Sequence, residues 1–199
     1  MRDKEILESV FVQGLRAGRA DQKDLQESLG LARSEMRRRL RGLASRGLVE
    51  IQGSNVALKR KGRRAFKVVF IGGSFEIIHL GHLYTIEQAK KLGDILVAVI
   101  ARDSTVRRRK GRDPIAPEGE RRRLLSAIRD VDVVLLGSET NIYDTLEKVG
   151  PDVVALGYDQ YHGEQEIARE AKRRGLKLSV VRLESPIPNL KTSKILSQI

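Results

Sequence analysis

Two of the chain's three histidines, His79 and His82, stand three positions apart in Phe70-Ile71-Gly72-Gly73-Ser74-Phe75-Glu76-Ile77-Ile78-His79-Leu80-Gly81-His82. That spacing puts both imidazoles on one side of a helix start. Imidazole nitrogens donate to phosphate oxygens and stabilise the charge that builds in phosphoryl transfer. Gly72, Gly73 and Gly81 let the backbone approach an anion, and Ser74, Phe75 and Glu76 complete the candidate cradle. A helix opening after such a turn offers free N–H groups and a positive dipole end. These residue types in this order predict a polyphosphate site. An H-x-x-H pair is also a metal spacing, but no third ligand stands at convincing distance along the chain, so no metal ligand is assigned. The stretch is not a G-x-x-x-x-G-K-[ST] loop, which needs a Lys and a Ser/Thr that are absent here.

The elements around this stretch predict how it is held. Lys67–Ile71, Ile95–Ala101, Val131–Leu136, Val153–Leu156 and Leu178–Val181 are short runs rich in β-branched residues. Helical patterns separate them over about Leu80–Leu92, Pro117–Ile128, Ile142–Val149, Glu164–Arg174 and from Thr192 onward. Alternating strands and helices predict an α/β fold, a Rossmann-like doubly wound parallel sheet with its site at the strands' carboxyl ends. Arg107-Arg108-Arg109-Lys110-Gly111-Arg112, after the second strand, reads as a loop that closes over phosphates or as a solvated basic surface.

The histidine stretch resembles the G-[ST]-F-D-x-x-H-x-G-H motif of the cytidylyltransferase-like nucleotidyltransferases. Glu76 stands where that motif usually has Asp. Gly157-Tyr158-Asp159-Gln160 resembles the family's G-x-D-x segment, and Glu120-Arg121 its E-R element, whose arginine helps hold phosphates. Lys191-Thr192-Ser193-Lys194-Ile195 is similar to the S-[ST]-T-x-[IL] element that opens the last helix, with Lys191 in place of the first hydroxyl. The family's arginine just upstream has no obvious counterpart, Arg182 being rather far back. Within the family, Ala101–Val106 with its basic continuation and Gly150-Pro151-Asp152 resemble archaeal FAD synthases most.

The resemblance implies transfer of AMP from ATP to FMN, with loss of pyrophosphate. It implies His79, His82 and Arg121 as charge stabilisers, and the basic stretch adds Lys110. It implies Gly72, Gly73, Ser74, Phe75, Glu76, Gly81, Gly157, Asp159, Thr192 and Ser193 as nucleotide-binding, with Mg²⁺ carried on the phosphates. CTP with glycerol 3-phosphate or a similar polyol phosphate stays open as the substrate pair. So does a regulator that senses a nucleotide or flavin and binds DNA.

Residues 1–65 carry 16 Lys+Arg against 8 Asp+Glu, and the remainder 22 against 18, so two thirds of the net +12 lies on one third of the chain. The N-terminal pattern runs helix Asp3–Ala17, a short helix between Asp21 and Gly30, helix Arg33–Arg46, then two apolar runs around Gly53-Ser54-Asn55. That order resembles a winged helix-turn-helix domain over residues 1–62, followed by the α/β domain over 66–199. The resemblance puts the third helix, with Arg37, Arg38 and Arg41, in the major groove of duplex DNA and the hairpin wing on the backbone. Packing on the neighbouring domain or forming a homodimer is the competing role. The absence of cysteine excludes disulfides, thiolate zinc and thiol nucleophiles. No apolar run approaches the ~20 residues of a membrane span, and the N-terminus has no apolar signal core. These features fit a cytoplasmic protein with no membrane partner.

Overall fold

The computed structural model describes residues 3–185, 187 and 192–196, except the side chains of Ser193 and Leu196. It divides into two compact units, Met1–Phe66 and Lys67–Ile199.

In the smaller unit, α1 (Asp3–Ala17) is followed by β1 (Ala20–Asp21), α2 (Gln22–Leu29) and α3 (Arg33–Ser45). A hairpin, β2 (Val49–Gln52) and β3 (Asn55–Leu58), and a single turn α4 (Arg60–Arg63) complete it. Asp21 caps α2 by accepting from the Lys23 N–H, and Gly30 ends it in the left-handed region at φ 62°. Ile6, Leu7 and Val10 of α1, Leu25 of α2, Met36, Leu40 and Leu43 of α3, and Val49 and Val56 of the hairpin are buried together by type and spacing. β1, too short to be read in the sequence, pairs antiparallel with β3 and makes a three-stranded sheet of order β1-β3-β2. α4 was likewise unforeseen. Its Gly62 lies against Leu48, where a Cβ would fall 2.1 Å from the carbonyl oxygen.

The larger unit begins with β4 (Val68–Gly73), α5 (Leu80–Lys90), β5 (Ile95–Ile100), α6 (Asp103–Lys110) and α7 (Glu118–Ser126). It continues with β6 (Val133–Leu136), α8 (Ile142–Val149), β7 (Val153–Leu156), α9 (Glu164–Arg173), β8 (Ser179–Arg182) and α10 (Thr192–Leu196). Every pairing in its sheet is parallel, in the order β6-β5-β4-β7-β8. All six residues of β5 are buried, which is how a strand covered on both faces reads. The chain leaves β4 toward β5 on one side and later returns to β7 on the other. The crevice between those connections, at the carboxyl ends, is where such sheets bind ligands.

One sequence reading is overturned. Arg107–Lys110 is not a loop but the last turn of α6, closed by Gly111 at φ 66°. Four consecutive cations hide helical periodicity, and Val106 is the helix's one buried residue.

Candidate active site

The β4–α5 turn is built around Phe75, the one non-glycine residue with positive φ (48°) among the described residues. Its ring is buried and lies so close to Gly73 that a Cβ there would meet it at 3.0 Å. Gly73 is therefore required by packing as well as by ligand approach. Gln160, from the loop after β7, donates to the Gly72 carbonyl at 2.5 Å and ties the two loops together. His79 is the N-cap of α5 without making a side-chain capping bond, so its ring is free to face the cleft.

The two imidazoles lie together, ring centroids 4.0 Å apart, and His82 rests 5.4 Å from the Phe75 ring. Both Nδ1 atoms are buried without a hydrogen-bond partner among the described residues. Burial, reinforced by His79 and Lys110 and opposed by Asp159, pushes the His82 pKa down to about 4. His82 is thus a neutral imidazole at pH 7, with one N–H to donate. Burial also lowers the His79 pKa, with Asp159 opposing. Thr192 Oγ1 lies 3.4 Å from His79 Nε2, so the start of α10 reaches the pair.

A cleft of about 550 Å³ joins the histidines to Gly72, Gly73, Ser74, Phe75 and Gly81. The same cleft takes in Lys110, Gly157, Asp159 and Thr192. Ser193's side chain and Lys191 lie outside the described residues.

Glu76 and Arg121 do not line the cleft. The Glu76 carboxylate is buried beneath it and accepts from Lys110 Nζ and, at 2.8 Å, from Arg112. Burial raises its pKa, but the hydrogen bonds from Arg112 and Lys110 outweigh that and hold it below the usual carboxylate range. Glu76, which stands where the family's motif usually has Asp, meets two cations with this one carboxylate. One anion against Lys110 and Arg112 leaves the cluster net positive beside the cleft, and Lys110 also reaches Ser74 Oγ at 3.1 Å.

Arg121 is 1% exposed. Its guanidinium donates to the carbonyls of Ala116 (2.9 Å), Ser74 (2.5 Å) and Ala101 (3.0 Å) and to Asp103 Oδ1 (2.6 Å). It joins the β4–α5 turn to the start of α6 from below, a place that residue type alone does not reveal.

Arg108 and Arg109, from the basic stretch that the sequence offers to phosphates, line the cavity from α6. Sequence reasoning missed Thr140 and Asn141 before α8 and Tyr161 and His162 after β7, which line it too. Arg182, set aside as too far back for phosphate, holds the loop that carries Tyr161. It donates to the carbonyls of Gly157 (3.0 Å), Gln160 (3.0 Å) and His162 (2.7 Å) and pairs with Glu164 at 2.6 Å. Among the described residues no three His, Asp or Glu side chains converge as a metal cage.

A parallel Rossmann-like sheet with two histidines and a glycine-rich turn at its switch point is the arrangement of a nucleotidyltransferase core. Residues 70–198 match the model of the cytidylyltransferase-like family, and the chain belongs to that family. It is 45% identical over 119 residues to the FAD synthase of Ferroglobus placidus, a match covering 60% of this chain and 77% of that protein. With the FAD synthase of Pyrococcus abyssi it shares 42% identity over 141 residues, 69% of this chain and 95% of the relative. Among solved structures, a lipopolysaccharide core biosynthesis protein from Thermoplasma volcanium GSS1 superposes with TM-score 0.59 at 40% identity. That superposition covers 60% of this chain and 98% of that one. A protein of unknown function from Archaeoglobus fulgidus shares the fold at TM-score 0.51 and 22% identity, over 63% of this chain and 94% of its own.

Proposed function

We propose that the chain transfers AMP from ATP to FMN, giving FAD and pyrophosphate. The observation that carries this is the His79–His82 pair beside the Gly72–Gly73 cradle, in one cleft with Lys110, Asp159 and Thr192. The relatives named FAD synthase supply the substrates. An oxygen of the FMN phosphate attacks the α-phosphorus of ATP, the bond to the β-phosphate oxygen breaks, and pyrophosphate leaves with that electron pair. Both reactants are anions, so the residues work by alignment and charge neutralisation. Neutral His82 and His79 donate to the α-phosphate oxygens, and Lys110 meets phosphate charge from the Ser74 side. Arg121 and Glu76 act one layer below, holding Ser74 and Lys110 in place.

Mg²⁺ would enter with the substrate phosphates, and Asp159, the carboxylate that lines the cleft among the described residues, would be the side chain to help hold it. The ion would neutralise phosphate charge. The test of the reaction is pyrophosphate release with ATP or CTP crossed against FMN and glycerol 3-phosphate. FMN-dependent release with ATP, together with FAD as the product, is the expected result. Release only with CTP and the polyol phosphate would replace this reading.

A second reading concerns residues 1–62, whose element order we assign to a winged helix-turn-helix that binds duplex DNA. Arg33, Arg37 and Arg41 lie at i, i+4 and i+8 on α3, all exposed, with no ion-pair partner among the described residues. Arg38 differs, because its guanidinium is held by Glu35 at 2.8 and 2.7 Å. The hairpin turn is short and tied down by Gln22, whose N–H and side chain donate to Ser54 and Gly53 carbonyls at 2.9 Å. Its exposed residues include Glu50 and Gln52, so the contact we assign rests on α3 and not on the wing. Titration of labelled duplex at several salt concentrations tests it. Absence of binding at low salt would leave packing or dimerisation.

A further inference from the structure

Tyr161 is 66% exposed, although its loop is firmly held. Arg182 fixes the carbonyls on either side of it, at Gln160 and His162. A large ring projected into solvent from a pinned backbone is a surface waiting to be covered. It lies against the His162 ring at 4.0 Å, and the Arg109 guanidinium sits over it, 4.4 Å from the centroid. Arg109 lies in the last turn of α6, after β5, and Tyr161 follows β7, while β4 lies between those strands. The Arg109–Tyr161 contact therefore spans the cleft from the β5 side to the β7 side, in the same cavity as the Gly72–Phe75 turn. A guanidinium is planar, and its position over the phenol marks where a flat group stacks.

We propose that Tyr161 is the shelf for the flat ring of the acceptor, and that Arg109 yields its place to that ring and turns to the acceptor's phosphate. This rests on the reading of FMN as acceptor. The isoalloxazine ring is electron-poor and the phenol electron-rich, which favours face-to-face contact. A polyol phosphate has no π face and would leave the shelf bare. Arg109 is exposed, on a long side chain, and neighbours Lys110, which the proposed reaction sets against phosphate. The exchange replaces a cation–π contact by a ring stack and a charge-assisted phosphate contact.

The test is calorimetric titration of the full chain with FMN, riboflavin and ribose 5-phosphate, alongside the KM for ATP. Tyr161→Ala is expected to weaken FMN and riboflavin alike by about tenfold or more, the scale of one ring stacked on an aromatic side chain. Ribose 5-phosphate binding and the KM for ATP stay near wild type. Tyr161→Phe, which keeps the ring, restores most of the affinity. Arg109→Ala weakens FMN but spares riboflavin, because the lost contact is to phosphate. Unchanged riboflavin binding by Tyr161→Ala overturns the shelf, as does a KM for ATP that rises in step with FMN, since the ring would then carry adenine. Loss of riboflavin binding in Arg109→Ala overturns the exchange. A wild-type chain that binds no FMN overturns the acceptor reading itself, whereas FMN binding indifferent to Tyr161 overturns only the shelf.

Discussion

Arg121 and Arg182 in the larger unit, and Arg33, Arg37 and Arg41 in the smaller, carry the same guanidinium into opposite surroundings. The first two face inward, and their donors are taken up by loop carbonyls and by Asp103 or Glu164. The other three stand outward along one face of α3 with no ion pair among the described residues. A guanidinium has five donors in a fixed fork, so it can organise a loop as readily as it can meet a phosphate. What decides is whether acceptors of the chain itself are already within reach. In the larger unit, α6 supplies Arg108, Arg109 and Lys110 to the cleft, and Arg121 and Arg182 hold the loops that shape it.

The largest effect that would sharpen this contrast is on stability. Arg121→Ala leaves three carbonyls and the Asp103 carboxylate without their donor, and should cost about 3 kcal/mol in denaturant unfolding. If the variant instead folds with wild-type stability and loses only ATP affinity, Arg121 reaches the ligand and the contrast fails. Next in size is His82→Ala, expected to lower turnover by ~10²-fold or more, as for loss of one preorganised donor to transition-state charge. Near-normal turnover, with chemistry shown to be rate-limiting, would remove His82 from the reaction.

Burial of His82 also predicts a pH dependence. Its folded-state pKa of about 4 lies below the ordinary 6.5. Between those values the unfolded chain binds a proton that the folded chain refuses. The resulting stability is fully present above about pH 6.5 and is lost as pH falls toward 4, on the order of 3 kcal/mol at full extent. Urea titrations from pH 7.5 to 4.5 should show this loss, and His82→Gln should flatten it. An equal slope in that variant would assign the dependence to other groups.

Much of this arrangement was legible in the sequence, for a physical reason. α1, α8 and β7 have the bounds their apolar periods predicted, because burial and period are the same information. The histidines and glycines were readable because their types and spacing fall within one short stretch between β4 and α5. What stayed hidden was long-range or masked by charge. Gln160 meets Gly72 across 88 residues, and Arg109 meets Tyr161 across the sheet, so no window of sequence contains either contact. α6 was hidden because its four cations carry no apolar signal. Arg121 was recognised by type, but its inward direction depends on carbonyls from three separate segments.

The smallest effect bears on the outward arginines. If α3 lies against phosphates, each free guanidinium releases about one counterion, so replacing one should reduce the slope of log K against log salt by about 0.9. Arg37→Ala and Arg41→Ala should each show this on duplex DNA. Arg38→Ala should show less, because Glu35 already neutralises that side chain and its release would have to break two short contacts. The pairing is exposed and salt-sensitive, so the difference should be clearest at low ionic strength. A base-edge contact would behave differently: its loss would relax sequence preference at one position while leaving the slope nearly unchanged. Should Arg38→Ala flatten the slope as much as Arg37→Ala, the Glu35 pair would not survive contact with DNA. Intramolecular pairing would then not be what separates the arginines of α3 from one another.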